Sequence, residues 1–182
     1  NDHSGIQVLT QTLIVQFSGY KGNFTTEVLV GPGMYERKIE HGVAIIATGA
    51  AEYRPTEYSY GTHPGIMTQL ELEACLKTNG SRELNQVVMI QCVGSRTDDN
   101  PDCSKVCCQT AVKNALDLKQ QNPDADICVL YRDVRTYGLT EDYYTEARRL
   151  GVYFVRYDPD DPPVVDPSAG DGIRVSFQNH VL

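Results

Sequence analysis

The chain has 182 residues, 41% of them hydrophobic and 22% charged, with a formal net charge of −8. That is enough apolar material for the core of one domain or two small ones. The acidic balance excludes a nucleic-acid binder as the leading expectation, and no apolar run reaches the roughly 20 residues a membrane helix needs.

Residues 6–17 are rich in β-branched side chains and predict a strand. A turn cluster at 19–23 leads to an alternating strand over 24–30, and Gly31-Pro32-Gly33 turns the chain into a short third strand near 34–40. The continuous apolar run 42–47 has the pattern of a strand buried on both faces. Residues 51–66 read as a long connection. Thr68 with Glu71 three residues on is a capping box opening a helix over 68–76. The polar, Gly-containing stretch from Lys77 to Arg82 reads as a junction, with one piece over 1–78 and another over 87–182.

Beyond that junction a buried strand is predicted at 87–93. A helix follows, opened by Asp102 or Ser104 and stopped by Asn122-Pro123, with Cys107, Ala111, Ala115 and Leu118 at helical spacing. A strand at 127–131, a helix at 140–150 capped by Thr140 and a strand at 152–157 come next. The acidic loop 158–172 leads to a final edge-like strand at 173–177. This alternation predicts an α/β fold: a parallel, Rossmann-like sheet of the FAD/NAD(P)-binding type, preceded by an antiparallel β-meander. The first piece, with few sheet partners of its own, is expected to be mobile or to pair with a second copy.

Of six cysteines, Cys75 and Cys128 stand apart, whereas Cys92, Cys103, Cys107 and Cys108 are clustered. The strand end and the helix start face one crevice in a parallel unit, and a helix N-terminus stabilises thiolates. Inert buried thiols or disulfides are the plain alternative, although adjacent cysteines do not readily bond to each other. The irregular spacing, with no nearby histidine, favours an iron–sulfur cluster over zinc. Clustered thiols suit a reducing compartment, so the cytoplasm is expected. The first βα turn, Cys92-Val93-Gly94-Ser95-Arg96, has one glycine where a dinucleotide fold has three, which argues against NAD(P) there. Ala47-Thr48-Gly49 follows the predicted buried strand with residues small enough for close backbone approach by a ligand. Arg96, Arg132 and Arg135 fall near the crevice, as charge partners for a cluster or as solvated side chains.

The segments 42–50, 52–58, 88–96, 103–108 and 129–138 together resemble the A subunit of the CoB–CoM heterodisulfide reductases, a likeness running from about residue 6 to residue 165. The resemblance implies a thioredoxin-reductase-like core binding FAD, several 4Fe-4S clusters, and assembly with other reductase subunits. Ferredoxin or hydrogenase-type electron donors come with it. The implied activity is reduction of the mixed disulfide of coenzymes M and B, in some complexes coupled to ferredoxin by electron bifurcation. On that likeness Cys92, Cys103, Cys107 and Cys108 are metal ligands of one 4Fe-4S cluster, and Ala47, Thr48 and Gly49 lie against FAD. The glycine motif of the FAD half would precede Asn1, so this chain alone is expected to bind FAD poorly and to catalyse nothing. Two other readings remain at this point: a non-catalytic α/β scaffold that docks partners, and an NAD(P)-dependent flavoprotein reductase domain.

Overall fold

The computed structural model describes residues 3–78, 84–168, 170 and 172–179. It divides into two compact units, Asn1–Ala51 and Glu52–Leu182.

The first unit is an antiparallel meander of β1 (Thr12–Tyr20), β2 (Asn23–Val30) and β3 (Tyr35–His41), in that spatial order. Tyr20 pairs with Asn23, so Lys21-Gly22 forms a two-residue hairpin, and Gly22 takes the positive φ (91°) this tight turn requires. The central strand is the best covered, with Val28 buried, while β1 exposes Ile14 and Phe17. Phe17, Phe24 and His41 gather their rings on one face. The His41 Nε2 lies 2.7 Å from Thr26 Oγ1 and its Nδ1 lies 3.0 Å from the Val43 carbonyl.

Two strand expectations change here. The first strand begins at Thr12 rather than residue 6, because Gln11 adopts a left-handed φ of 51° and its carbonyl accepts from Gly31 N–H. The run 42–47 is no strand, and Ile45 and Ile46 are 86% and 87% exposed. Apolar, β-branched composition measures fitness for a buried strand, but a strand also needs a neighbour for its ladder. No strand among the described residues lies beside this one.

The second unit holds α1 (Gln69–Lys77), β4 (Gln86–Ile90), α2 (Cys107–Gln121), β5 (Asp126–Tyr131), α3 (Thr140–Arg149), β6 (Tyr153–Arg156), β7 (Val164–Asp166) and β8 (Arg174–Ser176). Strands β4, β5 and β6 form a parallel sheet with β5 central, so the fold class is α/β. Strands β7 and β8 make a separate antiparallel ribbon, and β7 falls in the stretch read from sequence as loop. Leu118, Ile127 and Leu130 are fully buried, and Ala111, Ala115 and Ala147 supply the small side chains that let helices approach sheet and neighbours. Leu72 and Leu76 of α1 join the same core as Val112, Leu116 and Met89. For that reason α1 belongs with the α/β unit, and the units divide upstream of the junction read from sequence, of which residues 79–83 lie outside the described ones.

The capping box forms as the sequence spells it. Glu71 N–H donates to Thr68 Oγ1 and Thr68 N–H donates to Glu71 Oε2 at 2.8 Å. Glu52 adds to the cap by accepting from the Thr68 hydroxyl and Leu70 N–H. The Thr68 N–H above all holds the Glu71 carboxyl down at about 2, with the Tyr60 hydroxyl and Arg54 adding to it. A carboxyl depressed in the fold contributes stability that is whole above its ordinary pKa of 4.5 and is lost as pH falls toward 2. The Glu71 side chain is 40% exposed, so solvent screens its partners and the contribution is small. Thermal melts between pH 5 and pH 2 should show the midpoint falling through this window, and Glu71→Gln should flatten that part of the curve.

At α3 the expected cap shifts by one residue. Leu139 occupies the cap position, and the Thr140 hydroxyl donates instead to the Tyr137 carbonyl at 2.7 Å.

Candidate thiolate site at the end of the parallel sheet

Strand β4 ends at Ile90, and the chain then needs residues 91–106 to reach α2. The helix starts later than the sequence suggests. Lys105 sits at φ 61°, which no α-helix accommodates, and Val106 takes the cap position with no side-chain hydrogen bond. Cys103 therefore lies in the loop and not in the first turn of the helix that the sequence opens at Asp102 or Ser104. Cys107 and Cys108 are the first two helical residues.

The loop is bent by left-handed residues at Cys92 (φ 65°), Gly94 (φ 63°) and Arg96 (φ 57°). Two of the three are not glycine, and such strained positions persist only where surrounding contacts hold them. Those contacts are present. Tyr157, almost wholly buried, donates its hydroxyl to the Gln91 carbonyl at 2.7 Å, pinning the peptide that leads into Cys92. Arg132 Nη1 donates to the Arg96 carbonyl at 2.6 Å, and Asn100 Nδ2 donates to the Gly94 carbonyl at 2.8 Å. The Tyr53 ring covers Gly94 so closely that a Cβ would meet it.

Side-chain chemistry converges on the same place. Arg96 directs Nη1 at Cys92 Sγ (3.9 Å) and Nη2 at Asp133 Oδ2 (2.8 Å), and Arg135 approaches the same carboxylate oxygen at 3.7 Å. Cys108, buried, donates its thiol to the Asp133 carbonyl at 3.7 Å. The single Cys108 S–H is shared between that carbonyl and Cys107, and the bond to Cys107, with Ser104 and the backbone N–H groups of the helix start, holds Cys107 down at about 6 despite burial. Cys108 is pushed up in turn, first by that same bond and then by burial. The direction is toward a thiolate at Cys107 and a thiol at Cys108. Burial, with Cys92 nearby, raises the Tyr157 hydroxyl, so it stays a donor.

Of the four clustered cysteines, Cys92, Cys107 and Cys108 flank the end of β4 and the start of α2, and Cys103 is half-buried in the loop between them. Their donor chemistry fits a thiolate-bound metal group: soft sulfur ligands, one readily ionised, beside guanidinium groups that offset negative charge. Among the described residues no group of three or more His, Cys, Asp or Glu stands close enough to hold a metal ion. Cys75 and Cys128 lie apart, and burial raises Cys128, as for an inert structural thiol. Ala47, Thr48 and Gly49 lie in the exposed, non-strand segment of the first unit, where Gly49 has φ 73° and open space around its Cα. Sequence reasoning singled out the three arginines but not Asp133 or Tyr157. Asp133 stands between Arg132 and Arg135 and could have been found from that alternation of charge, whereas Tyr157 read only as the last residue of a strand.

No family model matches the chain. It is 38% identical over 138 residues to the A subunit of the ferredoxin/F(420)H(2)-dependent CoB-CoM heterodisulfide reductase of Methanosarcina acetivorans, covering 66% of this chain and 17% of that protein. It is 36% identical over 142 residues to the A subunit of the H(2):CoB-CoM heterodisulfide,ferredoxin reductase of Methanothermobacter thermautotrophicus, covering 68% and 22%. With the iron-sulfur A subunit of the CoB–CoM heterodisulfide reductase of Methanocaldococcus jannaschii it shares 35% identity over 158 residues, covering 73% and 24%. The chain thus spans about a fifth of the length of these relatives. Over the matched two thirds of its residues, the chain belongs to the family of heterodisulfide reductase A subunits.

Proposed function

We propose that the chain is an electron-transfer part of a flavin and iron–sulfur oxidoreductase of the heterodisulfide reductase type. In this reading Cys92, Cys103, Cys107 and Cys108 are the thiolate ligands of one 4Fe-4S cluster. The observation that carries it is the placement of Cys107 and Cys108 in the first turn of α2, beyond the end of β4, where Arg96 Nη1 faces Cys92 Sγ at 3.9 Å. A bound cluster would supply a one-electron carrier. The protein's part is to hold ionised sulfur, to offset its charge with Arg96 and Arg135, and to shield Cys108 from water. Four thiolates close around one group only if the 91–106 loop brings the four cysteines nearer to one another than they now stand. Ala47, Thr48 and Gly49 are proposed as backbone that approaches FAD, which Gly49 permits by lacking a Cβ. The relatives' names support a multisubunit reductase in which ferredoxin takes part, and a cytoplasmic setting agrees with clustered free thiols. No helix among the described residues is long and apolar enough to cross a membrane.

Anaerobic reconstitution with iron and sulfide tests the assignment. The protein should take up the iron of one cubane cluster, and Ala at any of the four positions should lower the iron content. Cys75→Ala and Cys128→Ala should leave it unchanged, and iron loss from Cys128→Ala equal to that from Cys107→Ala would refute the ligand set. Titration with NADPH by calorimetry should show no micromolar binding. The β4–α2 connection carries one glycine and a thiol group where a pyrophosphate needs bare backbone.

A further inference from the structure

Building on the proposed cluster, we infer that Arg96 is a positioning residue that sets the reduction potential of the bound cluster through Cys92, with Asp133 as its counterweight. Three features single it out. Its guanidinium divides between a ligand sulfur and a carboxylate: Nη1 faces Cys92 Sγ at 3.9 Å and Nη2 binds Asp133 Oδ2 at 2.8 Å. Its side chain is only 23% exposed, so water screens these contacts incompletely. Its backbone is fixed on both sides, with N–H donating to the Asp102 carbonyl at 3.3 Å and the carbonyl accepting from Arg132. A non-glycine residue is thereby held at φ 57°, an arrangement that aims the side chain at Cys92 rather than at solvent.

Reduction adds one negative charge to a cluster and its thiolates. A cation and hydrogen-bond donor at a ligand sulfur stabilises the reduced form and raises the potential, while a nearby carboxylate does the opposite. Asp133 is bound by both Arg96 and Arg135, so its charge is partly neutralised, and its backbone carbonyl separately accepts the Cys108 thiol. Asp133→Asn keeps that carbonyl and removes only the charge.

The two substitutions should therefore move the midpoint in opposite directions. In the reconstituted protein, measured by redox titration with EPR and visible absorbance, Arg96→Gln should shift the midpoint down. Asp133→Asn should shift it up. Arg96→Lys, which keeps the charge but not the two-pronged geometry, should fall between wild type and Arg96→Gln. A residue serving only loop shape would lose iron without a shift of definite sign. Iron in every variant with an unchanged midpoint for Arg96→Gln would overturn the inference and leave the cluster reading standing. No iron in the wild-type protein would defeat the cluster reading and this inference with it. If Arg96→Gln cannot retain iron, Asp133→Asn decides: an upward shift supports the proposal, and an unchanged or lowered midpoint overturns it.

Discussion

Gly94→Val should remove most of the iron that the reconstituted protein can hold, although Gly94 contributes no ligand. The residue stands two positions after Cys92 with φ 63°, a conformation a β-branched side chain adopts only under strain. The left-handed penalty is about 1–2 kcal/mol. That amounts to roughly 5–30-fold fewer molecules with the loop shaped as it is now. A second effect is steric, since the new Cβ would meet the Tyr53 ring. Tyr53 is half exposed and can swing aside, so the backbone term should dominate. Combining Tyr53→Ala with Gly94→Val separates the two, because it removes the ring but not the strain. Iron analysis should show no recovery in the double variant. Full recovery would show that the ring contact, and not the φ of Gly94, shapes the loop.

How far the sequence forecasts this site depends on the range of the interaction involved. The capping box of α1 is legible because Thr68 and Glu71 satisfy each other within one turn. Strands β4, β5 and β6 are legible as short apolar runs between helical patterns, and their parallel pairing follows from that alternation. The four cysteines stand out by density alone. By contrast, the start of α2 is set by the left-handed Lys105, and nothing in the side chain of a lysine announces that conformation. The run 42–47 is misread because its composition resembles a buried strand while its burial depends on a neighbour that no described residue provides. Tyr157 is invisible as a site residue for a related reason. Its partner, the Gln91 carbonyl, is 66 positions away and is reached only once β6 lies two strands from β4. Local chemistry is thus readable in the chain, while the contacts that strain and aim the cysteine loop are made by the tertiary fold.

Leu118→Ala should be the most damaging single change to the α/β unit, lowering its stability by about 2–5 kcal/mol. Leu118 is 0% exposed and lies in the same core as Ile127, Ala115 and Ala147, each also 0% exposed. The two alanines have no side-chain length with which to fill the space a truncated leucine leaves. The cavity should therefore persist rather than collapse, which places the loss toward the upper part of that range. Amide exchange offers a local reading of it. The amides of β5, central in the parallel sheet, should exchange slowly in the wild-type protein and markedly faster in the variant. Those of β1, whose side chains are nearly all exposed, should exchange faster than β5 from the outset. Because α2 carries Cys107 and Cys108 at one end and Leu118 three turns along, the same substitution links core packing to the thiolate site. At low temperature, where the variant remains folded, iron uptake should be close to wild type, and it should fall on warming in step with the loss of β5 protection. A stability loss below about 1 kcal/mol would mean that the core around α2 closes over the gap, against the tight packing that its alanines imply.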